Sequence, residues 1–265
     1  LVISHNFTMY FQKGFFMINS NTFSNFNSKY PIYADLHTHS ISSGHGSEDT
    51  ITDMIRCASE SGLSLFGISD HGPATSSSAK PSYFQSLKLA DRDRFGIRVL
   101  YGAELNIINT AGDVDLDDEI LSALDYAIIS IHPPIFKPYH DKDLSSAYIR
   151  AMDHPKVRFL GHIDDARFPV DFEYLLEIAK EKHVYPEINN GSLMPDAYRI
   201  NGQENCRRIL SICKKLDLPV LLSSDSHGKK NIGNMQYIFP LLEELDFPAH
   251  LVLNSDLSVL SEIIR

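Results

Sequence analysis

The feature that most constrains the fold is an apolar stretch followed by a helical stretch, which recurs along most of the chain. The apolar stretches cover residues 32–34, 63–69, 97–103, 126–131, 157–161, 184–188 and 219–222. The helical stretches cover residues 51–61, 83–93, 116–124, 144–152, 172–182, 206–216 and 235–245, and a last one follows Ser255 as N-cap. Strand, helix and strand form the βαβ unit, whose strands are parallel. The sequence therefore predicts an α/β fold with seven parallel strands.

A closed barrel and an open nucleotide-binding sheet can both hold such strands. The chain lacks the G-x-G-x-x-G fingerprint of the open sheet, which favours the barrel. A length of 265 residues is common for a single α/β barrel. Pro186 is an exception in the sixth strand, because it cannot donate a ladder hydrogen bond. We expect either an irregular strand there or an open sheet beside it.

Composition excludes several functional classes. The net charge of -10 makes a nucleic-acid or anionic-membrane binder improbable, because such partners need basic surface. No apolar run approaches the ~20 residues of a membrane-spanning helix. The three cysteines form no C-x-x-C pair and indicate a reducing, cytoplasmic compartment.

Residues 1–30 carry no acidic residue and no arginine, and we expect an appended arm there and one domain over residues 31–265. The oligomeric state is left open.

Metal-ligating side chains follow most of the predicted strands. His37 and His39 lie two residues apart after the first strand, so they face the same side. In a parallel barrel the strand ends open on one face, where active sites lie. The candidate ligands are His37, His39, His45, His71, Glu104, His132, His162, Asp225 and His227. Histidines outside this set, such as His154 and His250, have no such placement.

This ligand set predicts metal-dependent hydrolysis. A catalytic ion usually takes three protein ligands and keeps an open position, so nine ligands suit three ions, with Glu104 as a bridge. Adjacent divalent ions lower the pKa of bound water from about 15.7 towards ~7 and neutralise charge on reacting oxygens. The chain has no G-x-S-x-G elbow. We expect a metal-bound hydroxide to attack a phosphate ester directly. A closed structural zinc site would need four ligands, normally with cysteine.

Six motifs resemble those of the PHP (polymerase and histidinol phosphatase) family in order and spacing. They are Asp35-Leu36-His37-Thr38-His39, Ser69-Asp70-His71-Gly72-Pro73, Gly102-Ala103-Glu104, Ile131-His132, Glu187-Ile188-Asn189-Asn190 and Ser224-Asp225-Ser226-His227. The resemblance covers residues 33–254 and is closest to the small stand-alone bacterial phosphatases of the family. It implies a distorted seven-stranded (β/α)7 barrel with three divalent ions, most often zinc, with manganese or iron in some relatives.

The resemblance also implies how the ligands are shared. One ion takes His37, His39, Glu104 and Asp225, the second His45, His71 and His227, and the third Glu104, His132 and His162. We assign Glu104, Asp225 and His227 to catalysis as well. The residues after His162 are Ile163-Asp164-Asp165, where close relatives tend to have Pro-Gly, so the loop at the third ion is expected to differ.

The substrate is expected to be a small-molecule phosphate monoester. Arg167, Lys229 and Lys230 follow ligand-bearing strand ends, and a phosphate needs cationic partners. Arg167, Asn189 and Lys229 are therefore the candidate substrate contacts. Asp35 and Asp70 neighbour ligating histidines and are candidates for orienting them.

Two other functions stay open. A metal amidohydrolase or deacylase would use a similar His-x-His pair, but its bridging lysine has no counterpart because Glu104 occupies the bridging position. A non-catalytic metal-binding or partner-binding module is the second alternative, although such modules tend to lose ligands.

Overall fold

The computed structural model describes residues 27–133, 135–136 and 142–265. Its strands are β1 Ala34–Asp35, β2 Thr38–His39, β3 Leu65–Ile68, β4 Asp93–Arg94, β5 Ile97–Tyr101, β6 Ala103–Asn106, β7 Ala127–Ser130, β8 Val157–Leu160, β9 Tyr185–Asn189, β10 Leu221–Ser223 and β11 Ser226–His227. Its α-helices are α1 Ile51–Glu60, α2 Pro81–Ser86, α3 Asp118–Leu121, α4 Ser145–Ala151, α5 Phe172–Glu181, α6 Gly202–Leu216, α7 Phe239–Glu244 and α8 Leu257–Ile264. Strands and helices alternate over most of the chain, as predicted.

The strands form three hydrogen-bonded groups. Their orders are β1-β3-β5-β4, β10-β9-β8-β7-β6 and β11-β2. The pairings are parallel except for β4 with β5. The prediction of an α/β fold with parallel strands is therefore confirmed.

Contacts at both ends connect these groups. Between β5 and β6, the Gly102 amide donates to the Ile68 carbonyl over 2.8 Å, so β6 continues beside β3. At the other end, the buried Asn254 side chain donates to the carbonyls of Ala34 in β1 and Leu222 in β10, each over 2.8 Å. The pair β2 and β11 lies just beyond β1 and β10 along the chain.

The helices have the sequence features that their positions require. Helix α1 begins at a capping box, in which Thr50 and Asp53 each accept a hydrogen bond from the other's backbone amide. Helix α5 buries the apolar face that its spacing predicts, formed by Phe172, Leu175, Leu176 and Ala179. These faces belong to one hydrophobic cluster of the core, together with apolar residues of the strands such as Phe66 and Leu160.

The predicted helix 83–93 ends early, and a 3-10 turn at Leu87–Leu89 and the first strand of a hairpin at Asp93–Arg94 follow it. Helix α2 spans only Pro81–Ser86, and β4 pairs antiparallel with β5. Phe95 and Gly96 join these two strands with positive φ angles of 50° and 79°. Two such residues form the type I′ turn, whose twist suits a hairpin.

Three further expectations differ in detail. The predicted helix 116–124 is shortened to α3 Asp118–Leu121, with Asp117 as N-cap. The last helix is capped by Asp256, whose side chain accepts from the amides of Ser258 and Val259, and not by Ser255. Pro186 lies in β9, which pairs with β8 on one side and β10 on the other, so the sheet is not open there. The ladder between β8 and β9 has only two residue pairs, and one of them contains Pro186, which has no backbone N–H to donate.

The predicted arm of residues 1–30 lies mostly outside the described residues. Only residues 27–30 of the arm are described, and among them Tyr30 is completely buried and donates through its hydroxyl to the Phe247 carbonyl over 2.8 Å. In the described part of the chain, no helix has the length and apolar character needed to cross a membrane.

Candidate metal centre

The predicted ligands come together at the ends of the parallel strands. Glu104 is part of β6 and completely buried, and the other ligands surround it. His71, His132 and His162 follow β3, β7 and β8 within three residues. Parallel strands place their carboxyl ends on one face, so residues far apart in sequence meet there.

The Oε2 atom of Glu104 faces three imidazoles. It lies 2.6 Å from Nδ1 of His71, 3.4 Å from Nε2 of His37 and 3.5 Å from Nε2 of His39. His37 and His39 are completely buried. This side of the carboxylate is therefore lined by ring nitrogens.

The Oε1 atom of Glu104 faces a second pair of imidazoles. It lies 2.8 Å from Nε2 of His162 and 3.3 Å from Nε2 of His132. The two oxygens of Glu104 thus face different histidines, which is the arrangement required of a bridging carboxylate.

Asp225 adds a second carboxylate to the cluster. Its Oδ1 lies 3.2 Å from Nε2 of His39 and 3.7 Å from Nε2 of His37. Its Oδ2 accepts from Arg199 over 2.7 Å and from Asn189 over 3.1 Å. One oxygen therefore faces the histidines while the other is held by the protein.

His45 and His227 complete the set at the open edge. The His227 ring is stacked 4.3 Å from the His39 ring, and the His45 ring lies 4.8 Å from the His71 ring and 5.1 Å from the His227 ring. His45 is exposed, whereas His227 is half-buried. All nine predicted ligands thus belong to one cluster.

The cluster fits a metal centre because several of its buried atoms have no hydrogen-bond partner. These atoms are Nε2 of His37, Nε2 of His39, Nδ1 of His71, Nε2 of His227 and Oε2 of Glu104. Burying a polar atom unpaired is costly, and such atoms normally find partners. The candidate ligands include three groups of three residues, and within each group the ligand atoms lie within 4.8 Å of one another. The groups are His39, His71 and His227; His37, His39 and Glu104; and His71, Glu104 and His132. Each group could hold a metal ion.

The ring nitrogens that point away from the cluster are held by other side chains. Nδ1 of His37 lies 2.5 Å from Glu187 Oε1, and Nδ1 of His132 lies 2.7 Å from Asn106 Oδ1. Nδ1 of His39 lies 3.0 Å from Ser43 Oγ. Such contacts fix the ring and its tautomer in metal sites. Sequence reasoning did not assign Glu187, Asn106 or Ser43 to the site, although Glu187 is part of a recognised motif.

The two neighbouring aspartates act less directly than expected. Asp70 accepts from Ser43 Oγ over 2.7 Å, so it contacts His39 only through Ser43. Asp35 accepts from Ser224 Oγ over 2.5 Å and from the Gly233 amide over 2.8 Å. Asp35 therefore joins two loops, and burial raises its pKa to about 6.

The charges of the cluster shift the pKa values of its members. Burial favours the neutral form of Glu104, but the neighbouring His37, His132 and His71 outweigh burial and hold its pKa well below the usual value. Burial lowers the pKa of His39, and the nearby His71 and His227 lower it further. His39 is therefore neutral at physiological pH, the form in which an imidazole binds a metal.

An open cavity of about 590 Å³ lies against the cluster. His45, His71, Glu104, His132, Asp225 and His227 line one side of it. The other lining residues are Gly44, Thr75–Ser77, Pro133, Ile135, Tyr198 and Arg199. A small molecule in this cavity would contact the candidate metal ligands directly.

The predicted substrate contacts are occupied by other interactions. Arg167 forms a bidentate pair with Asp165, with Nε 2.9 Å from both carboxylate oxygens, and stacks 4.1 Å from the Tyr198 ring centre. Lys229 lies 2.8 Å from Asp49 and is exposed. Neither side chain lines the cavity. Their substrate role stays a prediction.

Two groups beside the ligands complete the polar surroundings. Asn189 donates to both Glu187 and Asp225 over 3.1 Å. Arg199, which the sequence analysis did not assign, donates to Asp225 and lines the cavity. Asp164 is buried near Arg199, and burial raises its pKa to about 6 although the Arg199 charge opposes this.

Imidazoles and carboxylates clustered at the ends of parallel strands, beside an open cavity, form a candidate metal site of the kind that hydrolases on α/β folds use. Comparison with known families gives the identity of that fold. A family model described as the PHP domain matches residues 35–191, and the chain belongs to this family. The family resemblance seen in the sequence is confirmed.

Individual relatives agree with this assignment. A probable phosphatase of Clostridium acetobutylicum is 36% identical over 231 residues, covering 87% of this chain and 93% of that protein. A putative histidinol phosphatase of Listeria monocytogenes has a similar fold, with a TM-score of 0.57 at 18% identity, covering 78% of this chain and 99% of that one. Histidinol phosphate phosphatase of Lactococcus lactis, solved with zinc, L-histidinol and phosphate, gives a TM-score of 0.57 at 20% identity over 81% and 94% of the two chains. The prediction of a phosphatase-type hydrolase is confirmed.

Proposed function

We propose that this protein is a metal-dependent phosphatase that hydrolyses a small-molecule phosphate monoester at a trinuclear centre. The observation that carries the proposal is the convergence of nine candidate ligand residues, Glu104 among them, in one cluster with five buried ligand atoms that have no hydrogen-bond partner. Their histidine and carboxylate chemistry suits zinc. Zinc is also named with the Lactococcus relative.

The two sides of Glu104 support the division of ligands among three ions. Oε2 would serve the ion held with His37, His39 and Asp225, because His37 and His39 face Oε2 and the Oδ1 atom of Asp225 lies against both of these histidines. Oε1 would serve the ion held by His132 and His162. His45, His71 and His227 would hold the remaining ion at the open edge, where their rings lie together.

When bound, divalent ions supply a nucleophilic water at neutral pH and neutralise charge on the phosphate oxygens. The residues of the chain supply orientation. Arg199 donates to Asp225 and lies in the cavity wall, where its side chain is only 16% exposed. A planar guanidinium offers several donors in the geometry of phosphate oxygens. We therefore propose Arg199 as the phosphate-binding residue, ahead of Arg167 and Lys229.

The rim of the cavity would receive the rest of the substrate. Tyr198 is 73% exposed there, and Pro133 and Ile135 are half-buried beside the cavity. Exposed aromatic and aliphatic groups contact apolar or ring-shaped parts of a ligand. The alcohol portion of the ester would lie against them.

We also propose that the strands form the distorted seven-stranded barrel implied by the family. If β5 and β6 count as one interrupted strand, seven parallel strands follow one another in hydrogen-bonded order from β1 to β10. Asn254 and the β2–β11 pair support closure between β1 and β10.

The proposal is tested by metal analysis and turnover on the same preparation. Purified protein is expected to contain close to three ions per chain after reconstitution with zinc or manganese, and to hydrolyse p-nitrophenyl phosphate. Chelator treatment should abolish turnover, and added metal should restore it. His71→Ala should lose metal and activity, whereas His250→Ala, with an exposed side chain away from the site, should keep both. Full metal content without turnover of any phosphomonoester would contradict the proposed function.

A further inference from the structure

One ligand histidine is oriented by a carboxamide and not by a charged group. Nδ1 of His132 lies 2.7 Å from Oδ1 of Asn106, while its Nε2 lies 3.3 Å from Glu104. A neutral imidazole carries its proton on one nitrogen and a lone pair on the other. Which nitrogen can bind a metal therefore depends on which end of the Asn106 amide faces the ring.

The Asp115 carboxylate is the nearest group that sets the orientation of that amide, and the Thr75 hydroxyl and the Gly72 carbonyl also accept from its NH2 group over 3.1 and 3.5 Å. Asp115 Oδ2 accepts from Nδ2 of Asn106 over 2.6 Å and from the Ala74 amide over 3.0 Å, and its Oδ1 accepts from the Asn106 backbone amide over 2.9 Å. An ionised carboxylate only accepts hydrogen bonds, so it must meet the NH2 group of Asn106. The carbonyl oxygen of Asn106 is then left to face His132.

This orientation selects the tautomer of His132. Oδ1 of Asn106 can only accept, so the proton of the neutral ring must be on Nδ1. The lone pair on Nε2 then points towards Glu104 and the centre of the cluster. A reversed amide would require the opposite tautomer, with a proton on Nε2 where the metal should bind.

The motif glycine next to His71 makes room for Asp115. A Cβ atom on Gly72 would lie 2.3 Å from both oxygens of the Asp115 carboxylate, far closer than real contacts allow. A side chain at position 72 would therefore displace Asp115 from Asn106. The glycine of the Asp70-His71-Gly72-Pro73 motif thus has a physical role at the third ion.

We propose that Asp115 and Asn106 are a positioning pair that fixes His132 in its Nδ1-protonated tautomer and so makes Nε2 a metal ligand. The pair acts through His132 and contacts no substrate. The inference rests on the proposed metal centre, but the tautomer itself can be measured in metal-free protein. Its failure is therefore distinguishable from failure of the phosphatase assignment.

The first test uses the wild-type chain. In chelator-treated, 15N-labelled protein, long-range proton–nitrogen correlation of the imidazole rings distinguishes the two tautomers, and loss of signals in His132→Gln assigns those of His132. The expected result is an Nδ1-protonated ring. An Nε2-protonated ring in this sample would overturn the proposal, whatever the variants show.

The second test exchanges the two side chains. Asp115→Asn replaces one of the two acceptor oxygens that hold Asn106 with an NH2 group. We expect this NH2 group to face the Asn106 side chain and reverse its amide, which should remove about one ion per chain and shift His132 to the Nε2-protonated form. The exchanged pair Asp115→Asn with Asn106→Asp conserves charge and size, and again presents an acceptor to His132. It should restore the lost ion and the original tautomer.

A matched control makes the result specific. Asp113→Asn alters an exposed aspartate of the same loop, which pairs with Asn109 over 2.8 Å, and should leave metal content unchanged. Asp115→Asn with full metal content and an unchanged tautomer would overturn the proposal. So would a folded exchanged pair that fails to recover the ion. If Asp115→Asn does not fold, the wild-type tautomer and the exchanged pair still decide the matter.

Discussion

The completely buried Glu187 carboxylate links three ligand-bearing strand ends. It lies 2.5 Å from Nδ1 of His37, accepts from the His162 amide over 2.7 Å and is bonded by the Ser223 hydroxyl. Burial raises the pKa of Glu187, but the neighbouring His37 outweighs burial and lowers it below its usual value. An ionised carboxylate in this position makes His37 a stronger metal donor.

We expect Glu187→Gln to weaken metal binding about 10- to 100-fold, as loss of such outer contacts typically does. The amide keeps the size of the side chain but loses its charge. Competition with a chromogenic chelator measures the affinity. The exposed Glu119→Gln is the control. Unchanged affinity in a folded Glu187→Gln variant would show that Glu187 has only a structural role.

Arg199→Lys is expected to lower kcat/KM for a phosphomonoester, mainly through KM. The lysine keeps the charge but loses the planar fork, and a charge-assisted hydrogen bond contributes about 2 kcal/mol, or roughly 30-fold. Steady-state kinetics with p-nitrophenyl phosphate measures the effect. Arg208→Lys changes an exposed arginine paired with Glu173 and should have no effect. Equal kinetics in both variants would remove Arg199 from the substrate site.

The sequence predicted which side chains cluster in the structure, but it predicted few of the residues around them, for a physical reason. His71 and His162 were found because a ligand follows a strand end, a position that the chain order shows directly. Arg199 lies in a loop before α6, outside any strand–ligand pattern, and only folding brings it to Asp225. Asn106 is an ordinary polar residue until its contact with His132 is known.

At the scale of single elements, α1 offers a direct test of local stability. Thr50→Ala removes half of the capping box and is expected to cost about 1 kcal/mol of unfolding free energy, because a helix N–H loses its acceptor. Denaturant unfolding followed by circular dichroism measures the loss. Thr52→Ala changes an exposed threonine two residues later, outside the capping box, and should cost less. Metal content should stay unchanged in both, and an equal cost would show that the box contributes nothing specific.

Element boundaries were predictable where the signal is local. The Thr50–Asp53 box and the apolar face of α5 are both present as expected. The stretch 83–93 was assigned wholly to a helix because its composition suits one, yet β4 pairs with β5 through a turn at Phe95 and Gly96. A tertiary partner overrides local propensity there.

At the scale of the whole molecule, the ligand cluster links metal binding to stability. Five of its buried nitrogen and oxygen atoms lack hydrogen-bond partners, so an ion that binds only the folded chain should stabilise it. Zinc at about 100 times its Kd should add about 2.7 kcal/mol and raise Tm by about 5–10 °C. Differential scanning calorimetry with and without chelator measures this. His37→Ala should lose the effect and His250→Ala should keep it. An identical Tm with and without zinc would contradict metal binding to the folded chain.

The side chain of Asn254 connects β1 with β10, the two strands at the ends of the hydrogen-bonded order. Its amide donates to the carbonyls of Ala34 and Leu222, and its Oδ1 accepts from the Leu222 amide over 2.8 Å. Asn254→Leu leaves these three buried groups without this partner and should cost about 3–9 kcal/mol, at about 1–3 kcal/mol for each unpaired group. Denaturant unfolding measures the cost, with the exposed Gln85→Leu as control. Metal affinity should fall as well, because β1 and β10 lead directly to His37 and Asp225. A variant that unfolds like wild type would mean that β1 and β10 are held near each other by other contacts, such as the β2–β11 pair.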